Sequence, residues 1–188
     1  MIRAALIIVL ISVYIESHSQ KDADRANAEL LWNEFYTLQW DDFRGEPDRN
    51  SHGDAGTAVQ IKAKPFTIDN RVHYDVTAIF NRHKSWARDT STALLAHEQL
   101  HFDLAELYAR KIRKRLKELS DQGVNEIKEL NEAIRELLLE SNKVDAQYDA
   151  ETLHGGLLTK QAAWERKIKS ELAALGGFKK KKRIIRSQ

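Results

Sequence analysis

Three side chains in this sequence are spaced to do chemistry together. His97, Glu98 and His101 form His-Glu-x-x-His within Leu94-Leu95-Ala96-His97-Glu98-Gln99-Leu100-His101-Phe102. Residues four apart lie one above the other on a helix, so both imidazoles can reach one ion at about 2.0–2.1 Å. Leu94, His97, His101, Leu104, Tyr108 and Ile112 also follow the three-four spacing of a buried helix face. Imidazoles on an apolar stripe need partners for their ring nitrogens, and one cation serves both. The plainer alternative is a pair of core histidines bonded to backbone carbonyls. Glu98, one residue past the first ligand, points beside the ion rather than at it. Zinc lowers the pKa of a bound water to about 7, and a carboxylate there can pass its proton to a leaving amine. The expectation is one catalytic zinc, with Glu98 as general base.

A catalytic zinc keeps three protein ligands and one open position. Leu104 and Leu107 stand where the compact three-histidine motif needs its glycine and its last histidine. The third ligand therefore comes from farther on. The candidate is His154, in Tyr148-Asp149-Ala150-Glu151-Thr152-Leu153-His154-Gly155-Gly156, at a helix break where a side chain can be aimed. Asp149 and Glu151 are acceptable rivals, and spacing alone does not choose among the three. Glu126, Glu129 and Glu132 sit on a helix whose apolar stripe explains itself without metal. His73, outward on a strand, and His83, in a loop, read as surface residues that can also line a cleft. His52 receives no role, and Trp40, Trp86 and Trp164 read as core or cleft walls.

The elements that must position these groups are legible in outline. Residues 20–34 are a polar lead-in, loose or helical, and the turn-rich run 44–56 reads as a surface loop. Val59, Ile61 and Ala63 alternate with Gln60, Lys62 and Lys64. After Asp69-Asn70 the alternation resumes at Val72, Tyr74, Val76, Ala78 and Phe80, which predicts a hairpin. Thr90 or Ser91 can cap a helix running to about Leu119. Gly123 breaks it, a second helix carries Ile127, Leu130, Ile134, Leu137 and Leu138, and a third carries Trp164, Ile168 and Leu172. The fold class is α+β: a small, mainly antiparallel sheet on a long metal-bearing helix, with further C-terminal helices.

The 188 residues suit one domain, and no cysteine is present to supply a thiolate, a nucleophile or a disulfide. A net charge of +2 is too small to imply a polyanionic partner for the whole chain, and no nucleic-acid partner is expected. Residues 1–19 have a short positive start, an apolar run over 4–15, and small Ser17 and Ser19. That is the build of a signal peptide cleaved after Ser19, and the run falls short of the roughly 20 residues that span a bilayer. A secreted or periplasmic domain over residues 20–178 follows. The basic tail 179–188 reads as a solvated end, with weak contact to an anionic membrane surface as the sharper option.

At these residues the chain resembles the predicted secreted zinc-dependent proteases of bacteria, a family catalogued as a domain of unknown function. The likeness rests on His97-Glu98-Gln99-Leu100-His101-Phe102 with Ala109-Arg110, and on Tyr148-Asp149, Thr152, His154-Gly155, Gln161 and Trp164. Ser85-Trp86 and Trp40-Asp41-Asp42-Phe43 add to it. The resemblance implies a zincin-like fold, hydrolysis of a peptide or protein substrate, and His154 as third ligand. It also brings the substrate alongside a sheet edge, for which residues 72–81 are the candidate strand. Two other classes compete: a non-catalytic zinc-binding protein, and a helical cell-surface interaction module with merely buried histidines.

Overall fold

The computed structural model describes residues 28–51 and 53–180. The expected signal peptide and its cleavage site, His52, and residues 181–188 of the basic tail lie outside the described residues.

The chain is α+β, with a small antiparallel sheet and three helices. Strand β1 is Glu29–Leu31, β2 Ala55–Gly56, β3 Val59–Ile68, β4 Arg71–Asn81 and β5 Trp86–Ala87. Helix α1 is Thr92–Asp121, α2 Ile127–Thr152 and α3 Leu158–Ala174. Strands β3 and β4 form the expected hairpin, in register from Val59 opposite Phe80 to Ile68 opposite Arg71. Its two-residue turn, Asp69-Asn70, has φ of 49° and 57°, the doubly left-handed geometry that matches strand twist and that aspartate and asparagine tolerate best.

Two expectations are corrected here. The lead-in is strand at its end, because Glu29–Leu31 pairs antiparallel with Ile79 to Asn81. That pairing puts β4 in the middle of the sheet β1-β4-β3, so residues 72–81 are not a simple edge strand. The turn-rich run also ends in structure: Ala55 and Gly56 pair with Ala87 and Trp86 as a separate two-stranded ribbon. The Trp86 ring lies so close over Gly56 that a Cβ there would meet it at 2.9 Å.

Helix α1 is the axis of the domain. Ser91 caps its first turn by accepting from the Leu94 N–H. One flank packs on the sheet through Phe102, Ala105, Ala109 and Ile112 against Val76, Ala78 and Phe80. The other packs on α2 and α3 through Leu100, Leu104, Leu107 and Tyr108 against Tyr148, Trp164 and Ile168. Helix α1 is therefore buried on nearly every side through its middle, and an ion-pair network ties part of its polar surface. Buried Glu106 binds Arg110 at 2.9 Å and Arg113 at 3.1 Å. The two guanidiniums reach on to the carbonyls of Leu172 and Phe178. Trp32 Nε1 and Gln99 Nε2 both donate to Asp103, while Gln99 Oε1 accepts from the Leu38 N–H and fixes the N-terminal segment on α1. Burial raises the Asp103 pKa.

The first residues of the basic tail, Lys179 and Lys180, are exposed and ion-paired at the surface. Lys179 pairs with Glu34, and Lys180 lies 2.8 Å from Asp75. Among the described residues, no helix is long and apolar enough to cross a membrane.

Candidate metal centre

His97 and His101 stack one turn apart on α1, both buried, with ring centres 4.8 Å apart. Helix α2 runs alongside and presents Tyr148 and Asp149 at its penultimate turn. The Nε2 atoms of His97 and His101 lie 3.3 Å apart, and Asp149 Oδ1 is 3.2 Å from the first and 3.1 Å from the second. These three atoms form a group that can hold a metal ion. The near-equal triangle is itself informative: donors at about 2.0–2.1 Å from a tetrahedral ion stand about 3.3 Å apart.

The surrounding hydrogen bonds decide where the protons are. His101 Nδ1 is 2.7 Å from Asp145 Oδ1, an acceptor, so that nitrogen carries hydrogen. His97 Nδ1 faces Gln161 Oε1 at 3.3 Å. The Gln161 amide is oriented by its own partners: its Nε2 donates to Glu165, and its Oε1 accepts from the Tyr148 hydroxyl at 2.7 Å. His97 Nδ1 is therefore also a donor. In neutral rings both Nε2 atoms then carry lone pairs, and they meet a carboxylate oxygen. Three acceptors converging on one point need a cation between them. Without metal that cation is a proton. Burial disfavours a charged His101, but hydrogen bonds to Asp145 and Asp149 outweigh it and hold its pKa at about 10. The same bonds, from His101 and His97, overcome burial to keep Asp149 well below the usual carboxylate range.

Tyr148 braces this arrangement from behind. Its ring stacks on His97 at 4.7 Å, and its hydroxyl reaches the His97 carbonyl as well as Gln161. Burial drives its pKa far above the phenol range, so it stays a neutral donor.

Glu98 is buried on α1 and lines the same cleft as the histidines, a space of about 690 Å³. The cleft is also lined by the β2–β5 ribbon, at Ala55, Gly56 and Trp86, and by Ser51, Gly53, Asp54 and Thr57. The strand beside the cleft is thus β2, which came from a stretch read as loop.

The third member of the group that can hold a metal is Asp149, one of the two rivals, and His154 is not in that group. Asp149 is still on α2, one turn past Asp145, on the face turned to α1. Helix α2 stops at Thr152, and Leu153, His154 and Gly155 follow with φ of 50°, 52° and 84°. That sharp turn carries His154 out to the cleft mouth. Its side chain is 73% exposed, with Nδ1 3.5 Å from Asp149 Oδ1, and it stands outside the donor group. Glu151 turns away, accepting from Trp164 Nε1 at 3.0 Å. Gly155 is required where it is: a Cβ there would lie 3.0 Å from His97 Cβ. A left-handed non-glycine residue costs about 1–2 kcal/mol, and this turn holds two in succession. His73 lines a separate groove near Phe66, and His83 is exposed in the turn after β4, so neither joins the site.

Sequence reasoning did not single out Asp145 or the role of Gln161. Asp145 lies four residues before Asp149 on one helix face, and that spacing was available as a signal.

Comparison with curated proteins and with solved structures gives no match. A family model does match, over residues 36–155, which takes in the ribbon, the hairpin, α1, α2 and the turn bearing His154. With well over half its length covered, the chain belongs to the family described as bacterial protein of unknown function, DUF922.

Proposed function

We propose that this chain is a zinc-dependent peptidase with a zincin-like site. The observation that carries the reading is the convergence of His97 Nε2, His101 Nε2 and Asp149 Oδ1 at 3.1–3.3 Å, with both Nδ1 atoms committed as donors. Two imidazoles and one carboxylate, without thiolate, suit a catalytic rather than a structural zinc. When bound, zinc polarises a carbonyl and makes water acidic enough to attack at neutral pH.

The chain's own residues supply the rest. Asp145 and Gln161 fix the imidazole tautomers so that both Nε2 atoms face the ion. Glu98, buried beside the donors and open to the cleft, takes a proton at its carboxylate and delivers it to the leaving nitrogen. The cleft between the ribbon and the His154 turn has room for an extended peptide, and β2 offers it a backbone edge.

Glu98 is not among the donors, which separates catalysis from metal binding. Glu98→Gln is expected to keep about one zinc per chain and its thermal midpoint, while cleavage of a broad peptide library falls 10²–10⁴-fold. Chelation abolishes the wild-type activity and added zinc restores it. A Glu98→Gln protein that cleaves as fast as wild type overturns the mechanism. Wild-type protein that holds zinc and cleaves nothing favours a non-catalytic zinc site.

A further inference from the structure

The turn that ends α2 places an imidazole where the donor group has no need of one. Leu153 and His154 are both left-handed, and both side chains are mostly exposed, at 61% and 73%. Burial of these two side chains therefore does not offset the strain. The backbone is nonetheless held firmly: the His154 N–H donates to the Asp149 carbonyl at 3.1 Å, the Leu157 N–H to the Thr152 carbonyl at 2.8 Å, and Gly155 is wedged against His97. What the turn accomplishes is to hold the His154 ring over the cleft that contains Glu98, beside Asp149. The three candidate donors are already as many as a catalytic zinc would take from the protein. A histidine in the fourth corner would close the site, and a catalytic ion needs that corner open.

We infer that His154 contacts the substrate rather than the metal, donating from its imidazole to the oxygen of the scissile carbonyl as that oxygen gains charge. The inference rests on the peptidase reading. In the step concerned, the water oxygen bonds to the carbonyl carbon and the π pair moves onto the carbonyl oxygen, where His154 meets it. The C–N bond then breaks and both water protons end on the amine, one through Glu98 and one from the new hydroxyl, leaving a carboxylate. A donor aimed at developing charge acts on the transition state more than on bound substrate.

The test compares His154→Ala, His154→Gln and Asp149→Ala in the zinc-loaded full chain. His154→Ala is expected to lower kcat about 10²–10³-fold with KM nearly unchanged. Its zinc affinity, measured by competition with a chromophoric chelator, stays within a few-fold of wild type, whereas Asp149→Ala weakens zinc about tenfold or more. His154→Gln, which keeps an N–H donor, recovers part of kcat. An N-phosphoryl dipeptide, which puts an anionic tetrahedral centre at the reacting position, gives a readout without turnover and binds His154→Ala about tenfold or more weakly. If His154→Ala loses zinc as Asp149→Ala does, His154 is a ligand and the inference is wrong. Unchanged kcat and unchanged phosphoryl-dipeptide binding also overturn it. Wild-type protein that neither cleaves peptides nor binds the phosphoryl dipeptide sinks the peptidase reading, and this inference with it.

Discussion

His101 is where a proton and any metal held by the candidate centre would compete for one place. Held near pKa 10 by Asp145 and Asp149 against the cost of burial, it is charged at neutral pH in the metal-free protein. A raised imidazole pKa stabilises the fold fully below its unfolded value of about 6.5, and that contribution is lost as pH rises through 10. Asp149 has the opposite sign: its lowered pKa contributes fully above about 4 and is lost as pH falls below it. The metal-free domain thus gains most from this pair between about pH 4 and 6.5. A metal takes only the deprotonated ring, so its binding releases about one proton at pH 7 and strengthens about tenfold per pH unit there. Calorimetry of zinc binding in two buffers with different ionisation heats measures that proton directly. Proton-neutral binding at pH 7 would contradict the arrangement described.

At the scale of elements, two glycines with the same backbone angle separate strain from positioning. Gly123 and Gly155 both have φ of 84°, but a Cβ at Gly123 meets nothing within 4 Å, and one at Gly155 strikes His97. Gly123→Ala should cost about 1 kcal/mol of stability and leave zinc affinity unchanged. Gly155→Ala should cost more and weaken zinc about tenfold, because it displaces a ligand. Urea unfolding and chelator competition on the two variants read both quantities, and equal zinc affinities would remove the positioning role. These elements also mark how far the sequence could be read. The hairpin and three helices were legible because each runs long enough to display its period, and Ser91, Asp69-Asn70 and Gly123 punctuate them. Strands β1, β2 and β5 were not, because two or three residues hold no period, and their pairing is fixed by distant partners. The histidine pair and Glu98 followed from spacing within one helix. The third donor did not, since a choice between Asp149 and His154 depends on Leu153 turning left-handed, and no spacing rule records that.

At the scale of the whole molecule, a buried charge network ties the site's helix to the elements around it. Glu106, one turn beyond the ligands, holds Arg110 and Arg113 in the interior, and through them the ends of α3 and of the described chain. Removing one partner of a buried charge network leaves the others uncompensated, which costs about 3–5 kcal/mol. Glu106→Gln should therefore lower the unfolding free energy read from urea titration by that much, with the candidate donor set intact in whatever fraction stays folded. A loss under 1 kcal/mol would mean that water reaches the arginines.

The ligands also sit at one end of a helical hairpin whose other end is the turn at Gly123. Chain leaves the site along α1 and returns along α2, so His101 and Asp149 bracket a loop of about 50 residues, and an ion held by both closes it. A cross-link spanning such a loop removes about 4 kcal/mol of conformational entropy from the unfolded chain. With no cysteine in the sequence, a disulfide cannot do this. An ion held here would then act as a latch between the two helices. Helix α2 would then be held to α1 at that end while the ion stays bound, and the dissociation rate of the metal would govern how soon Leu100, Leu104, Tyr148 and Trp164 meet water.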